Sequence, residues 1–223
     1  MDIKKVVVIG SGTMGSGIAA QVANAGIPVF LLDLPSSEGT RNKIVENAKE
    51  RIANSRPPLL VEKSKIDLIH VGNIEDNFNL VGEADWVVEA VVERIDIKHS
   101  IYKKIEDIRK PDSVISSNTS TIPLKVLSEN MSDEMKQNFC ITHFFNPVRY
   151  MGLLEIVTEP INDKEKINLL KSFCDEKLGK GVIICKDTPG FLGNRVGVYA
   201  MQVAMTEAFK MGLTIEEADA VFG

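Results

Sequence analysis

A glycine-rich turn, Gly10-Ser11-Gly12-Thr13-Met14-Gly15, and a distant histidine in His143-Phe144-Phe145-Asn146-Pro147, followed by Glu155, are the residues whose types and spacing could do chemistry. A turn of this glycine pattern suits the pyrophosphate of a dinucleotide, and a histidine held by a carboxylate suits removal of a proton from a hydroxyl. The pair reads as oxidation of an alcohol with a nicotinamide cofactor.

The turn directly follows the apolar run Val6-Val7-Val8-Ile9 and precedes a helix-like segment, the context that makes the pattern specific. Gly10 permits the tight turn, Gly12 lets the backbone approach the pyrophosphate, and Gly15 permits close helix-to-strand packing. Thr13 and Met14 lie in the turn where the helix starts, and its unpaired amides and positive dipole end would face the phosphates. Asp33 ends the second strand-like run, where a carboxylate can bind both hydroxyls of an adenosine ribose and repel a 2′-phosphate. NAD is therefore expected over NADP.

Phe139 to Phe144 and Gly152 to Val157 read as consecutive strands. An antiparallel hairpin symmetric about Arg149 would set His143 opposite Glu155 on one face. The carboxylate would then hold one imidazole nitrogen while the other accepts a proton. Donors to the reacting oxygen would come from Ser116-Ser117-Asn118-Thr119-Ser120, at the end of a strand, or from Asn194, one turn into a helix opened by Pro189. Both segments are equally compatible with capping or turn chemistry.

The scaffold for these groups is legible as alternation. Apolar runs at 6–9, 29–32, 85–89, 114–115, 139–141 and 182–185 are separated by helical periodicities, which indicates an α/β, Rossmann-type, doubly wound and mostly parallel sheet. Ile18, Ala19, Val22 and Ala23 mark the first helix, which Gly26 can end. A second helix is expected over 38–54, with Arg41, Lys43, Lys49 and Arg51 off its apolar stripe and Pro57-Pro58 after it. Residues 65–80 return the chain toward the sheet, and a long helix is expected over 163–178.

Asp187-Thr188-Pro189-Gly190-Phe191 reads as a boundary. Residues 1–186 would form the dinucleotide-binding domain carrying His143 and Glu155, and 187–223 the beginning of an all-α second domain, cut short where the sequence stops. The helix after Leu192 is apolar nearly all round and wants burial on several sides. Thr214 and Glu217 form a capping box for the next.

With 223 residues and a net charge of -5, the composition gives no general attraction to nucleic acid. Cys140, Cys174 and Cys185 are odd in number and lack metal-ligand spacing, so a structural role in a reducing compartment and no metal site are expected. The first strand starts at about Lys4, leaving no room for a signal peptide, and no apolar stretch is long enough to span a bilayer. A cytoplasmic location is expected.

Gly10 to Gly15, Val87-Val88-Glu89-Ala90-Val91-Val92-Glu93, Ser117-Asn118-Thr119-Ser120, His143-Phe144-Phe145-Asn146-Pro147 and Lys186-Asp187-Thr188-Pro189-Gly190-Phe191 together resemble the L-3-hydroxyacyl-CoA dehydrogenases of fatty-acid β-oxidation. The resemblance spans essentially the whole chain. It implies NAD-dependent oxidation of an (S)-3-hydroxyacyl-CoA to a 3-ketoacyl-CoA, with His143 as general base and Glu155 as its orienting partner. It further implies that Ser120 and Asn194 bond the reacting oxygen or the thioester side, that Asp33 binds the ribose, and that Glu93, Lys98, Asn118 and Asn146 line the nicotinamide half. The basic helix corresponds to the family's coenzyme A contact, through Lys43 or Lys49. A homodimer formed through the second domain, and a long form joined to an enoyl-CoA hydratase-like domain, are implied partners. Two rival readings are a short-chain 3-hydroxybutyryl-CoA dehydrogenase of fermentation and a non-catalytic dinucleotide-binding relative. A small 3-hydroxy-acid dehydrogenase would use a lysine where this chain has Asn194 and Arg195.

Overall fold

Strands that are apolar on both faces must be covered on both, and the computed structural model, which describes residues 2–222, builds the sheet this demands. Six strands run parallel: β1 (Val6–Ile9), β2 (Val29–Asp33), β3 (Ile69–Asn73), β4 (Trp86–Glu89), β5 (Val114–Ser117) and β6 (Phe139–Phe144). With β7 (Leu153–Val157) and β8 (Gly181–Cys185) they form one sheet of order β3-β2-β1-β4-β5-β6-β7-β8. β7 pairs antiparallel with β6, and β8 parallel with β7. The order reverses between β1 and β4, and a ligand crevice is expected beyond their carboxyl ends.

Helix α1 (Thr13–Asn24) buries Ile18, Ala19, Val22 and Ala23 on one face of the sheet and is followed by Gly26 at φ +80°. Trp86 and Phe144 lie in the same core cluster. On the opposite face Tyr102 of α3 (Ile95–Ile108) meets Phe139 edge to face, with ring centroids 5.0 Å apart. Short helices α4 (Leu124–Leu127) and α5 (Asp133–Gln137) follow β5. Asp163 caps α6 (Lys164–Glu176) by accepting from the amides of Glu165 and Lys166.

Two elements differ from expectation. Helix α2 (Lys43–Asn54) starts at Lys43, five residues later than the stripe suggested, because Pro35, Ser36, Ser37 and Gly39 favour turns and the Ser36 hydroxyl donates to the Glu38 carbonyl instead. β3 was foreseen only as a returning segment. Its mixed sequence suits an edge strand, fastened where the Asn77 side chain accepts from the Asn73 amide at 3.0 Å.

The three cysteines are buried and unbridged. Burial pushes the Cys140 thiol up to about 12 and the Cys185 thiol up to about 11, so neither supplies a thiolate at neutral pH.

The chain divides into two compact units between Asp187 and Thr188. The second contains α7 (Gly193–Met211), ended by Gly212 at φ +68°, and α8 (Ile215–Phe222). Thr214 and Glu217 form the reciprocal capping box, at 2.8 and 3.2 Å. The burial expected all round α7 is not supplied among the described residues: Tyr199, Met201 and Phe209 are exposed. No helix among them is long and apolar enough to cross a membrane.

Candidate active site

The backbone of the glycine turn is tighter than the spacing alone implies. Gly10 sits at φ +103°, and a Cβ there would lie 2.5 Å from the Ala90 carbonyl oxygen. A Cβ on Gly15 would lie 1.8 Å from the Gly10 carbonyl oxygen but 3.4 Å from the nearest Val8 methyl. Gly15 is therefore required mainly by the turn itself, and only secondarily by the helix-to-strand packing assigned to it from sequence. Around Gly12 the situation is opposite, since a Cβ would meet nothing within 4 Å. That open space adjoins the start of α1, whose first turn holds no acidic residue to offset its positive end. Phosphate oxygens fit there. Thr13 is exposed and Met14 half-buried against the core.

Asp33, at the end of β2, reaches back to this turn. Its Oδ2 accepts from the Ser11 amide at 2.5 Å and the Ser11 hydroxyl at 2.6 Å, and its Oδ1 accepts from the Leu34 amide at 2.7 Å. The Ser11 partnership was not anticipated. It fixes the carboxylate beside the turn, where a diol could meet it.

β6 and β7 pair in the register that the hairpin symmetry predicts, His143 opposite Glu155. Nδ1 of His143 and Oε2 of Glu155 are 2.7 Å apart, with Glu155 fully buried and His143 nearly so. The other nitrogen, Nε2, lies 3.1 Å from the Ser120 hydroxyl. With Glu155 ionised, Nδ1 carries the hydrogen and Nε2 presents its lone pair toward Ser120. Thr142, on the reverse face of the strand, donates to Ser116, which also accepts from the Trp86 indole.

The segment after β5 is held from the side by Glu93. Its Oε1 accepts from the Ser120 amide at 3.1 Å and from the Thr119 hydroxyl, and its Oε2 lies 3.2 Å from Lys98 Nζ. Burial pushes this carboxyl up, but the Thr119 hydrogen bond and the charge of Lys98 together outweigh burial and hold it below the ordinary glutamate value. The stabilisation from these contacts is thus present above that ordinary value and lost as pH falls through the lowered one. Thr119 also accepts from the amides of Thr121 and Ile122.

Lys98 is entirely buried between Glu93 and Glu89, at 3.2 and 2.7 Å. It stands behind Glu93 rather than on the open surface. Asn118 accepts from the Phe144 amide at 3.0 Å, joining the ends of β5 and β6, while Asn146 is exposed in the turn beyond. Asn194 belongs to the second unit, as the second residue of α7. Of the basic candidates on α2, Lys43 is exposed, whereas Lys49 donates to the Ile69 carbonyl at 2.7 Å. Sequence reasoning gives no role to Glu89 or Ser11, and offers Thr119 only as one of five candidate donors to the reacting oxygen, not as a partner of Glu93. The one available signal was an acid, Glu89, closing an apolar buried strand.

Residues 5–188 match the family described as 3-hydroxyacyl-CoA dehydrogenase, NAD binding domain. The chain is 45% identical over 222 residues to a putative fatty acid oxidation complex trifunctional enzyme of Rickettsia felis, covering 99% of this chain and 31% of that protein. It is 42% identical over 224 residues to a probable 3-hydroxyacyl-CoA dehydrogenase of Deinococcus radiodurans, covering all of this chain and 65% of that one. Among solved structures, an (S)-3-hydroxybutyryl-CoA dehydrogenase of Ralstonia eutropha superposes with a TM-score of 0.79 at 29% identity, over 97% of this chain and 75% of the other. The chain thus spans between about one third and two thirds of the length of these two relatives.

Proposed function

The chain belongs to the 3-hydroxyacyl-CoA dehydrogenase family through its NAD-binding domain, and from that premise we propose that it works in the oxidation of an (S)-3-hydroxyacyl-CoA to the 3-ketoacyl-CoA. The observation that carries the reading is the row Ser120, His143, Glu155, linked at 3.1 and 2.7 Å, in a domain whose glycine turn leaves room for phosphates. NAD, when bound, would supply the hydride acceptor for the carbon that bears the hydroxyl. Gly10, Gly12, Thr13, Met14 and Gly15 would hold its pyrophosphate and Asp33 its adenosine ribose. Glu93, Asn118 and Asn146 would line the nicotinamide half, with Lys98 contributing through Glu93.

His143 is the general base. Its Nε2 accepts the hydroxyl proton, and the buried Glu155 carboxylate both fixes the ring through Nδ1 and stabilises the imidazolium that forms. Burial of the pair keeps water from screening that interaction. The Ser120 hydroxyl can turn from Nε2 to the substrate oxygen. In the reverse direction His143 returns the proton.

The same reading makes an acyl-CoA the partner, with the exposed Lys43 available to a coenzyme A phosphate. It assigns the domain to a homodimer or a longer β-oxidation polypeptide in the cytoplasm; the longer polypeptide is supported by the Rickettsia felis relative, named as a trifunctional enzyme of a fatty acid oxidation complex. The likeness to a hydroxybutyryl-CoA enzyme favours a narrower form with a short acyl chain, which rates across a chain-length series would separate.

Glu155→Gln tests the mechanism. The amide keeps the shape but cannot hold the required tautomer or balance an imidazolium, so kcat should fall by about 10²–10⁴-fold with the KM for NADH little changed. Unchanged kcat would remove Glu155 from the mechanism.

A further inference from the structure

Glu89 is a carboxylate with no exposure at the end of β4, and the proton transfer above makes no use of it. Its oxygens are nevertheless saturated. Oε1 accepts from Lys98 Nζ at 2.7 Å and the Val91 amide at 2.8 Å, and Oε2 accepts from the Tyr102 hydroxyl at 2.5 Å and the Ser117 hydroxyl at 2.7 Å. A buried carboxylate is tolerated only when paired this fully, and the pairing fixes its partners as firmly as itself.

Lys98, also without exposure, is shared between Glu89 and Glu93. Glu93 holds the Ser120 amide, and the Ser120 hydroxyl lies 3.1 Å from His143 Nε2. The contacts run unbroken from Glu89 through Lys98, Glu93 and Ser120 to His143. Neutralising Glu89 would leave the whole charge of Lys98 to Glu93, drawing it toward Lys98 and away from Thr119 and Ser120.

We propose that Glu89 is a positioning residue for His143: by holding Lys98 it keeps Glu93 against Ser120, and so sets the Ser120 hydroxyl on Nε2. Its kinetic consequence rests on the dehydrogenase reading, whereas its geometric consequence does not.

The test is a double-mutant cycle of Glu89→Gln and Ser120→Ala in the natural full-length protein. It is read by imidazole nitrogen NMR of His143 and by kcat/KM for acetoacetyl-CoA with NADH. Glu89→Gln should shift the His143 Nε2 resonance, leave that of His70 in place, and lower kcat/KM about tenfold, with both effects absent once Ser120 is alanine. Tyr102→Phe, which removes one oxygen from the cluster, should give the same pattern at about threefold, and it decides the matter if Glu89→Gln does not fold. Effects that persist undiminished in the Ser120→Ala background, or an unmoved His143 resonance, would overturn the proposal. Absence of turnover in the unmodified protein would defeat the dehydrogenase reading instead, and the NMR cycle would still decide this one.

Discussion

Replacing His143 by alanine is expected to lower kcat for acetoacetyl-CoA reduction by about 10²–10⁴-fold while NADH affinity stays within about twofold. In the Ser120, His143, Glu155 row the imidazole is the group placed to accept the hydroxyl proton and to return it. The glycine turn and Asp33 hold their own geometry through Ser11 and Ala90, so cofactor affinity should not follow kcat down. Alanine would also strip the buried Glu155 of its Nδ1 partner, at a cost of about 1–3 kcal/mol in stability. His143→Gln is the gentler companion, since its amide can still donate to Glu155 but cannot take a proton. Both variants should lose turnover and only the alanine should melt markedly earlier. A glutamine variant keeping more than half of kcat would contradict a role for His143 as base.

Gly15→Ala is expected to be the second large loss, this time in cofactor binding. The new methyl would stand 1.8 Å from the Gly10 carbonyl oxygen. Gly10 cannot retreat, because its own backbone is at φ +103° and packs against the Ala90 carbonyl. Either the turn or α1 must move, costing about 1–3 kcal/mol in stability. NADH affinity should fall by about 10²-fold, equivalent to about 2.7 kcal/mol of lost turn geometry. Gly12→Ala separates the two causes. Its methyl meets no protein atom within 4 Å, so thermal stability should hold while NADH affinity still falls. Titration with NADH and melting of both variants check this, and a Gly15→Ala protein that binds NADH normally would contradict the assignment of the turn.

What was legible in the sequence were features with a fixed period or a fixed local conformation. The pairing of His143 with Glu155 follows from the symmetry of a hairpin about residue 149, because a register slip would turn one of them to the other face. The glycine turn was legible because a strand, three glycines and a terminal acid each impose a separate demand. β3 was not, since Ile69-His70-Val71-Gly72-Asn73 lacks the continuous apolar run of its neighbours. The start of α2 was misplaced because the stripe that marks its apolar face says nothing about the turn chemistry of residues 35–42.

The Glu89 cluster escaped for a different reason. Its members come from β4, α3 and β5, and only the spacing of Lys98 and Tyr102, one helical turn apart, hints that they share a face. That hint gains meaning only once the sheet brings Ser117 level with Glu89. Thr119 and Ser11 likewise act through contacts that span more than twenty residues of chain.

Hydride exchange between NAD and a 3-hydroxyacyl-CoA is the activity proposed for this domain. Its most direct test is the loss of NADH absorbance on adding acetoacetyl-CoA to the natural full-length protein, followed by chiral analysis of the product. NADH-dependent formation of the (S)-3-hydroxy product, with NADPH much poorer, is the predicted result. No consumption of NADH, or the (R) product, would contradict the account.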